Sequence, residues 1–259
     1  MSSRKLAVVT GASSGIGLEI AKLAARDGYD LIVAADTPFV DVTPALREFE
    51  VQVHCVETDL STQSGVDKLL SFVGNRDIDV LVANAGHGLG HAWIEQSARD
   101  WMHVINTNIT GTLLLIQPVL RRMIERGDGK VLVTGSIAGH LAGAFQAVYN
   151  GSKAFIDSFS AAINEEIKDS GVTVTCLKPG ATETEFFHRA DLDDTKVGQA
   201  KKDDPADVAK VGWDAMKSGD STVIYGLKNK VQLAATRMMT DATTAKLHRA
   251  QLEPGSGSE

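Results

Sequence analysis

The sequence predicts a doubly wound α/β fold: a parallel sheet of about seven strands with helices on both faces. Three observations carry this. First, short apolar runs recur at 6–9, 31–35, 51–56, 80–83, 131–133, 172–177 and 222–225, most of them with Val, Ile or Leu on consecutive positions. That pattern suits strands buried on both sides. Second, helix-like stretches lie between them at 17–27, 63–73, 98–126, 149–169 and 205–218. Strand and helix alternating this way build a parallel sheet, and right-handed crossovers put helices on both of its faces. Third, 259 residues suit one large α/β domain, long enough to bury a core without staples. A single domain over 1–253 is expected, with no linker or repeat inside it.

Taken in order, the first run ends in Thr10-Gly11-Ala12-Ser13-Ser14-Gly15-Ile16-Gly17, and a helix-like segment follows. Glycines at 11, 15 and 17 allow a tight turn and let a pyrophosphate approach bare backbone. The helix N-terminus behind them offers free N–H groups and a positive dipole end. Strand, glycine turn and helix together are the Rossmann-type context that makes the triplet informative. Gly11, Ser13, Ser14, Gly15, Ile16 and Gly17 are therefore candidate dinucleotide contacts.

The second run is followed by Asp36, nineteen residues beyond Gly17. An acid there can accept hydrogen bonds from the adenosine ribose and would repel the 2′-phosphate of NADP. Positions 14 and 37 are not basic, and the next basic residue downstream is Arg47. NAD is the expected cofactor, with NADP not excluded. Pro118 is expected to kink or split the long helical stretch 98–126. The polar segment 182–204 shows no pattern and is expected to be a structureless loop, functional or mobile. The tail 254–259, Pro-Gly-Ser-Gly-Ser-Glu, is expected to be disordered.

Tyr149 and Lys153 stand four apart at the start of a helical stretch, so they share a face. Ser136 follows the strand at 131–133, at the sheet edge where parallel folds bind ligands. A carbonyl that accepts hydride must gain a proton, and an alcohol that loses hydride must give one up. A tyrosine can serve both if its pKa falls toward neutrality. The fall from about 10 requires ~4 kcal/mol, and an ammonium at ~4 Å contributes up to about that at an effective dielectric near 20. Ser136 would hydrogen-bond the substrate oxygen.

These residues together resemble the short-chain dehydrogenase/reductase family. The likeness rests on Thr10–Gly17, Asp59-Leu60, Asn84-Ala85-Gly86, Asn108, Ser136, Tyr149-Asn150-Gly151-Ser152-Lys153 and Pro179-Gly180 with Thr184, and it spans about residues 5 to 226. The resemblance implies that Tyr149 is the acid/base. Lys153 would bind the nicotinamide ribose and lower the tyrosine pKa, Ser136 would orient the carbonyl, and Asn108 would hold a water linking Lys153 to solvent. It implies adenine contacts from Asp59 and Leu60, and a passage of Asn84, Ala85 and Gly86 under the adenosine half. Pro179, Gly180, Thr182 and Thr184 would border the nicotinamide. It also implies a homotetramer, or failing that a dimer, and the activity of an oxidoreductase of secondary alcohols and ketones.

Leu89, Trp93, Ile137, His140, Leu141, Phe145, Gln146, Phe186 and Phe187 fall in segments expected around the nicotinamide. They suggest an apolar pocket and a hydrophobic ketone. His87 and His91 are four apart, but Gly88 and Gly90 argue against the helix a metal pair would need, so no metal is expected. Net charge is −7 and basic residues form no long block, which disfavours nucleic acid and anionic membrane as partners. No apolar stretch approaches the ~20 residues of a membrane helix. Cys55 and Cys176 sit in apolar runs and are expected to be buried, reduced thiols. A cytoplasmic location is the expectation. Two other readings compete. One is a reductase of carrier-linked 3-oxoacyl groups, docking through Arg121, Arg122 and Arg126. The other is a catalytically silent dinucleotide sensor.

Overall fold

The computed structural model describes residues 4–258 apart from Asp41 and Arg237. Seven strands form one parallel sheet in the order β3-β2-β1-β4-β5-β6-β7. The strands are β1 (Leu6–Thr10), β2 (Asp30–Ala35), β3 (Val53–Glu57), β4 (Val80–Ala83), β5 (Gly129–Thr134), β6 (Val172–Lys178) and β7 (Thr222–Ile224). The chain turns from one half of the sheet to the other between β1 and β4. That switch point opens a crevice beyond the strand C-termini. The helices are α1 (Gly15–Arg26), α2 (Val42–Arg47), α3 (Gln63–Val73), α4 (Ala98–Ile105), α5 (Thr112–Arg126), α6 (Ala147–Glu166), α7 (Phe186–Arg189), α8 (Lys196–Gln199), α9 (Pro205–Ser218), α10 (Leu227–Thr236) and α11 (Asp241–Leu252).

Alternation along the strands divides the core. Val8, Ile32, Leu81, Val131 and Val174 face α3, α5 and α6. Their neighbours Val9, Leu31, Val82, Leu132 and Leu177 face α1, α2 and α9. Burial on both sides explains why the strands read as continuous apolar runs. β3 is an edge strand, and there the expectation for Cys55 fails: it is exposed, while Cys176 on the interior β6 is buried.

Several helix ends follow from local chemistry. Thr62, Ser97, Asp204 and Thr240 accept backbone N–H bonds at the starts of α3, α4, α9 and α11. Asp27, just past α1, accepts from Trp213 Nε1 at 2.9 Å and Lys217 Nζ at 2.6 Å, tying α9 down beside α1.

Three expectations are corrected. The stretch 98–126 does break, but at a π-helical turn, Asn106–Gly111. The helix then runs on through Pro118. Segment 182–204 is ordered by α7, α8 and a bridge between Thr182 and Asp203. The tail folds back: Gly255 N and Gly257 N donate to Asp194, and Ser256 Oγ accepts from Lys196 N. These bonds hold a stretch that composition alone leaves without partners; Glu259 lies outside the described residues.

Candidate active site

β1 delivers the glycine turn to the crevice. Gly11 and Gly15 adopt φ of +63° and +55°, a region that glycine enters without strain. A Cβ at Gly17 would lie 2.2 Å from Gly11 O, so only glycine lets α1 begin this close to the turn. The Ser14 side chain makes no capping bond, which leaves the first N–H groups of α1 available to an anion. Thr10 Oγ1 accepts from Asn84 N and Ala85 N, both at 3.0 Å. The Asn84 amide donates to Thr10 O and Gly11 O and accepts from Thr134 Oγ1. Asn84 thus staples the ends of β1, β4 and β5 together.

A cleft of about 350 Å³ opens there. Gly11, Ser13, Ser14, Gly15, Ile16, Asp36, Asp59, Leu60, Asn84, Ala85 and Gly86 line one part of it. Ser136, Tyr149, Lys153, Pro179, Gly180, Thr182 and Thr184 line the other. Gly17 and Asn108 are not among its lining residues. A bare glycine turn, an uncapped helix start and a carboxylate beyond β2 in one crevice fit a dinucleotide.

The reacting end is built by α6 and the residues after β5. The Ser136 hydroxyl, which accepts from Ala138 N at 3.1 Å, shares the cleft with the Tyr149 phenol and acts to lower its pKa. Lys153, 6% exposed, donates from Nζ to Thr134 O at 2.8 Å and lies 5.9 Å from the centre of the Tyr149 ring. Asn108 sits in the π-helical turn. Its amide accepts from His87 N at 2.8 Å and donates to His87 O and Ser152 Oγ. A Cβ at Gly86 would stand 3.4 Å from Lys153 Nζ and 3.5 Å from Asn108 Oδ1. Both side chains therefore approach Gly86.

The electrostatics differ from the expectation that Lys153 draws the tyrosine down. Burial pushes Tyr149 up to about 12; the Ser136 hydroxyl works against that, and the Asp157 charge adds to it. Burial pulls Lys153 down to about 8, opposed first by Asp157 and then by Cys176. The ammonium is bound to the Thr134 carbonyl rather than to the phenol, so desolvation decides the shift.

Among the expected substrate-pocket residues, Ile137, Leu141, Gln146, Phe186 and Phe187 line the cleft. Four do not. Trp93 is 55% exposed on a short turn, and His140 turns away toward Asp157 and Lys178. Phe145 lies under the Arg249 guanidinium, and Leu89 is half-buried between Gly88 and Gly90 without reaching the cleft. His87 and His91 go separate ways: His87 meets the His103 ring edge-on, and His91 pairs with Asp191 at 2.7 Å.

Other lining residues escaped the sequence reading. His248, Gln251 and Leu252 come from α11, and Gln232 from α10. The spacing of His248 and Leu252 on one helix face was the available signal. Arg189 is the least expected: from α7 it reaches across to donate to Asp36 Oδ2 at 2.6 Å. A guanidinium therefore stands against the carboxylate expected to meet the ribose, although positions near Asp36 in sequence offer none.

Comparison with known proteins agrees with this geometry. The family model described as short chain dehydrogenase matches residues 5–195. An uncharacterised oxidoreductase of Staphylococcus saprophyticus is 32% identical over 220 residues, covering 82% of this chain and 91% of that protein. A serine 3-dehydrogenase of Agrobacterium fabrum is 34% identical over 182 residues, covering 69% and 72%. A short-chain dehydrogenase from Sphingobium yanoikuyae, solved in complex with NADPH, superposes with a TM-score of 0.80 at 25% identity, covering 94% of this chain and 99% of that one. With the family model covering most of its length and a nucleotide turn and Ser-Tyr-Lys set in one cleft, this chain belongs to the short chain dehydrogenase family and is an NAD(P)-dependent oxidoreductase acting on CH–OH groups.

Proposed function

We propose that the chain interconverts a ketone and a secondary alcohol with a largely apolar body, using Tyr149 as the proton-transferring group. The single observation behind this is the meeting of Ser136, Tyr149 and a buried Lys153 in the same cleft as the glycine turn. A bound nicotinamide would supply or accept the hydride. Ser136 would hold the substrate oxygen beside the phenol. With its pKa near 12, Tyr149 carries its proton at neutral pH, and phenolate is roughly one part in 10⁵. It is ready to donate, which favours reduction of a ketone. The departing proton leaves a phenolate, and the nearby Lys153 ammonium stabilises it. Asn108, which approaches Gly86 as Lys153 does, would hold a water linking Lys153 to solvent.

Ile137, Leu141, Phe186, Phe187 and Leu252 supply the apolar wall, and Gln146, His248 and Gln251 interrupt it. An alkyl or aryl ketone bearing one polar group fits that lining. For the cofactor, Asp36 favours the free ribose of NAD. Arg189 offsets its charge and leaves NADP usable. A homotetramer accords with Met102, Ile124 and Phe155, which expose apolar surface on α4, α5 and α6.

Of the arginines in the carrier-docking reading, Arg121 is exposed. Arg122 is bonded to Gly74 O and Arg76 O, Arg126 is bonded to Ile78 O and paired with Asp77, and neither lines the cleft. The test is a panel of ketones and alcohols with NADH, NADPH and their oxidised forms, followed by nicotinamide absorbance. Turnover of apolar ketones supports the proposal; turnover of polyols alone, or of nothing in the panel, contradicts it.

A further inference from the structure

Four side chains that no step above uses converge behind the reacting groups. Asp157 lies on α6, four residues beyond Lys153 and eight beyond Tyr149, so the three form one stripe of the helix. Its carboxylate oxygen Oδ2 stands 3.1 Å from His140 Nε2 and 3.2 Å from Lys178 Nζ. Lys178 Nζ is itself 3.1 Å from His140 Nε2. Oδ1 accepts from Cys176 Sγ at 3.4 Å. Asp157, Lys178 and Cys176 are all buried, and none of the four side chains lines the cleft.

The carboxylate is also pressed against the backbone that carries Ser136. A Cβ at Gly135 would fall 2.0 Å from Asp157 Oδ1, and one at Gly139 would fall 3.0 Å from Oδ2. On its other side, the same stretch is bonded to β6 and the residues after it, through Gly135 N to Leu177 O and Ile137 N to Pro179 O. The serine segment is therefore held between β6 and an anion. A buried carboxylate costs several kcal/mol unless it is paired, and a well-packed apolar side chain would fill the space more cheaply. The ion cluster thus points to a task beyond filling.

We propose that Asp157, charge-balanced by Lys178 and packed against His140, is a positioning residue that holds the Ser136 segment in place and sets the electrostatic field at Lys153 and Tyr149. The proposal rests on the Tyr149 reading above and assigns the group that tunes it. The direction of the field is fixed by charge. Asp157 leads the influences that keep a proton on Lys153 against burial, and it also holds the proton on Tyr149. The ionisable groups around the pair are Asp157 on α6 itself, Cys176 and Lys178 on β6, and His140 on the turn after Ser136. Across the cleft stand His87 and His103, and the uncharged Asn108. Removing the Asp157 charge makes both Lys153 and Tyr149 release protons at lower pH. Removing the Lys178 charge does the opposite.

The experiment compares D157N and K178M with the parent protein in the pH profile of kcat for a ketone the parent reduces, alongside NADH affinity by fluorescence. The account expects the alkaline midpoint to move to lower pH in D157N and to higher pH in K178M. Each displacement should be about half a pH unit or more, with NADH affinity within about threefold of the parent. A purely structural role would lower the amplitude and leave both midpoints where they were, and that result overturns the proposal. So do displacements in the same direction. If D157N does not fold, K178M decides alone: an alkaline displacement supports the proposal, and none refutes it. Failure of the Tyr149 reading itself would look different, because the parent would then show no ketone turnover to titrate.

Discussion

Tyr149 and Lys153 show how one burial event acts in opposite directions on two groups. Loss of water raises the phenol to about 12 and lowers the ammonium to about 8. The ammonium is therefore lost first as pH rises. The expected outcome is a kcat/KM for ketone reduction that is flat near neutrality and falls above about pH 8, measured in a steady-state pH series. His87, pulled down to about 4 by burial and by the neighbouring His103, stays neutral throughout and adds no limb between pH 5 and 8. Asp36 and Arg189 make a second residue-scale case. Asp36→Asn removes the charge that repels a 2′-phosphate, so the NADPH-to-NADH ratio of kcat/KM should rise about tenfold, or ~1.4 kcal/mol. Arg189→Ala should lower the same ratio. Equal ratios in parent and variants would show that the pair does not govern cofactor choice.

At the scale of elements, the start of α1 is the tightest junction. Gly17→Ala places a methyl 2.2 Å from Gly11 O, and neither the turn nor the helix can yield without moving the nucleotide cradle. Overpacking of this kind costs ~1–3 kcal/mol. The variant should melt several degrees lower and bind NADH at least about tenfold more weakly, as calorimetry and fluorescence titration would report. This junction was readable in the sequence because its signal is local: three glycines between an apolar run and a helix. The same holds for Tyr149 and Lys153, one helical turn apart, and for Ser136 just past a strand. What escaped is non-local. Arg189 meets Asp36 across 153 residues of sequence, and nothing near either position announces the other. The π-helical turn at Asn106–Gly111 adds a residue to a helical turn without any glycine or proline to mark its start. His140 sits in an expected pocket segment, yet the charge of Asp157 turns it the other way.

For the whole molecule, the sheet supplies rigidity and its C-terminal edge supplies chemistry. The two apolar faces are closed by helices of both halves, and Trp213 with Lys217 locks α9 to the end of α1 through Asp27. The cleft wall is completed by segments that follow the last strand, so α11 shapes what the reacting groups meet. The apolar side chains left outside, Met102, Ile124 and Phe155, lie on helices that the homotetramer proposal makes intersubunit surfaces. Light scattering in dilute buffer should return the mass of four chains. A monomer at micromolar concentration would remove that proposal without touching the site.

The most direct check of the whole account is the turnover of Tyr149→Phe, with NADH binding measured in the same preparation. The phenyl ring keeps the packing against Phe186 and loses only the hydroxyl. Unchanged cofactor affinity with kcat reduced by ~10²-fold or more is the predicted result. Turnover close to that of the parent would contradict the assignment of the phenol as the proton-transferring group.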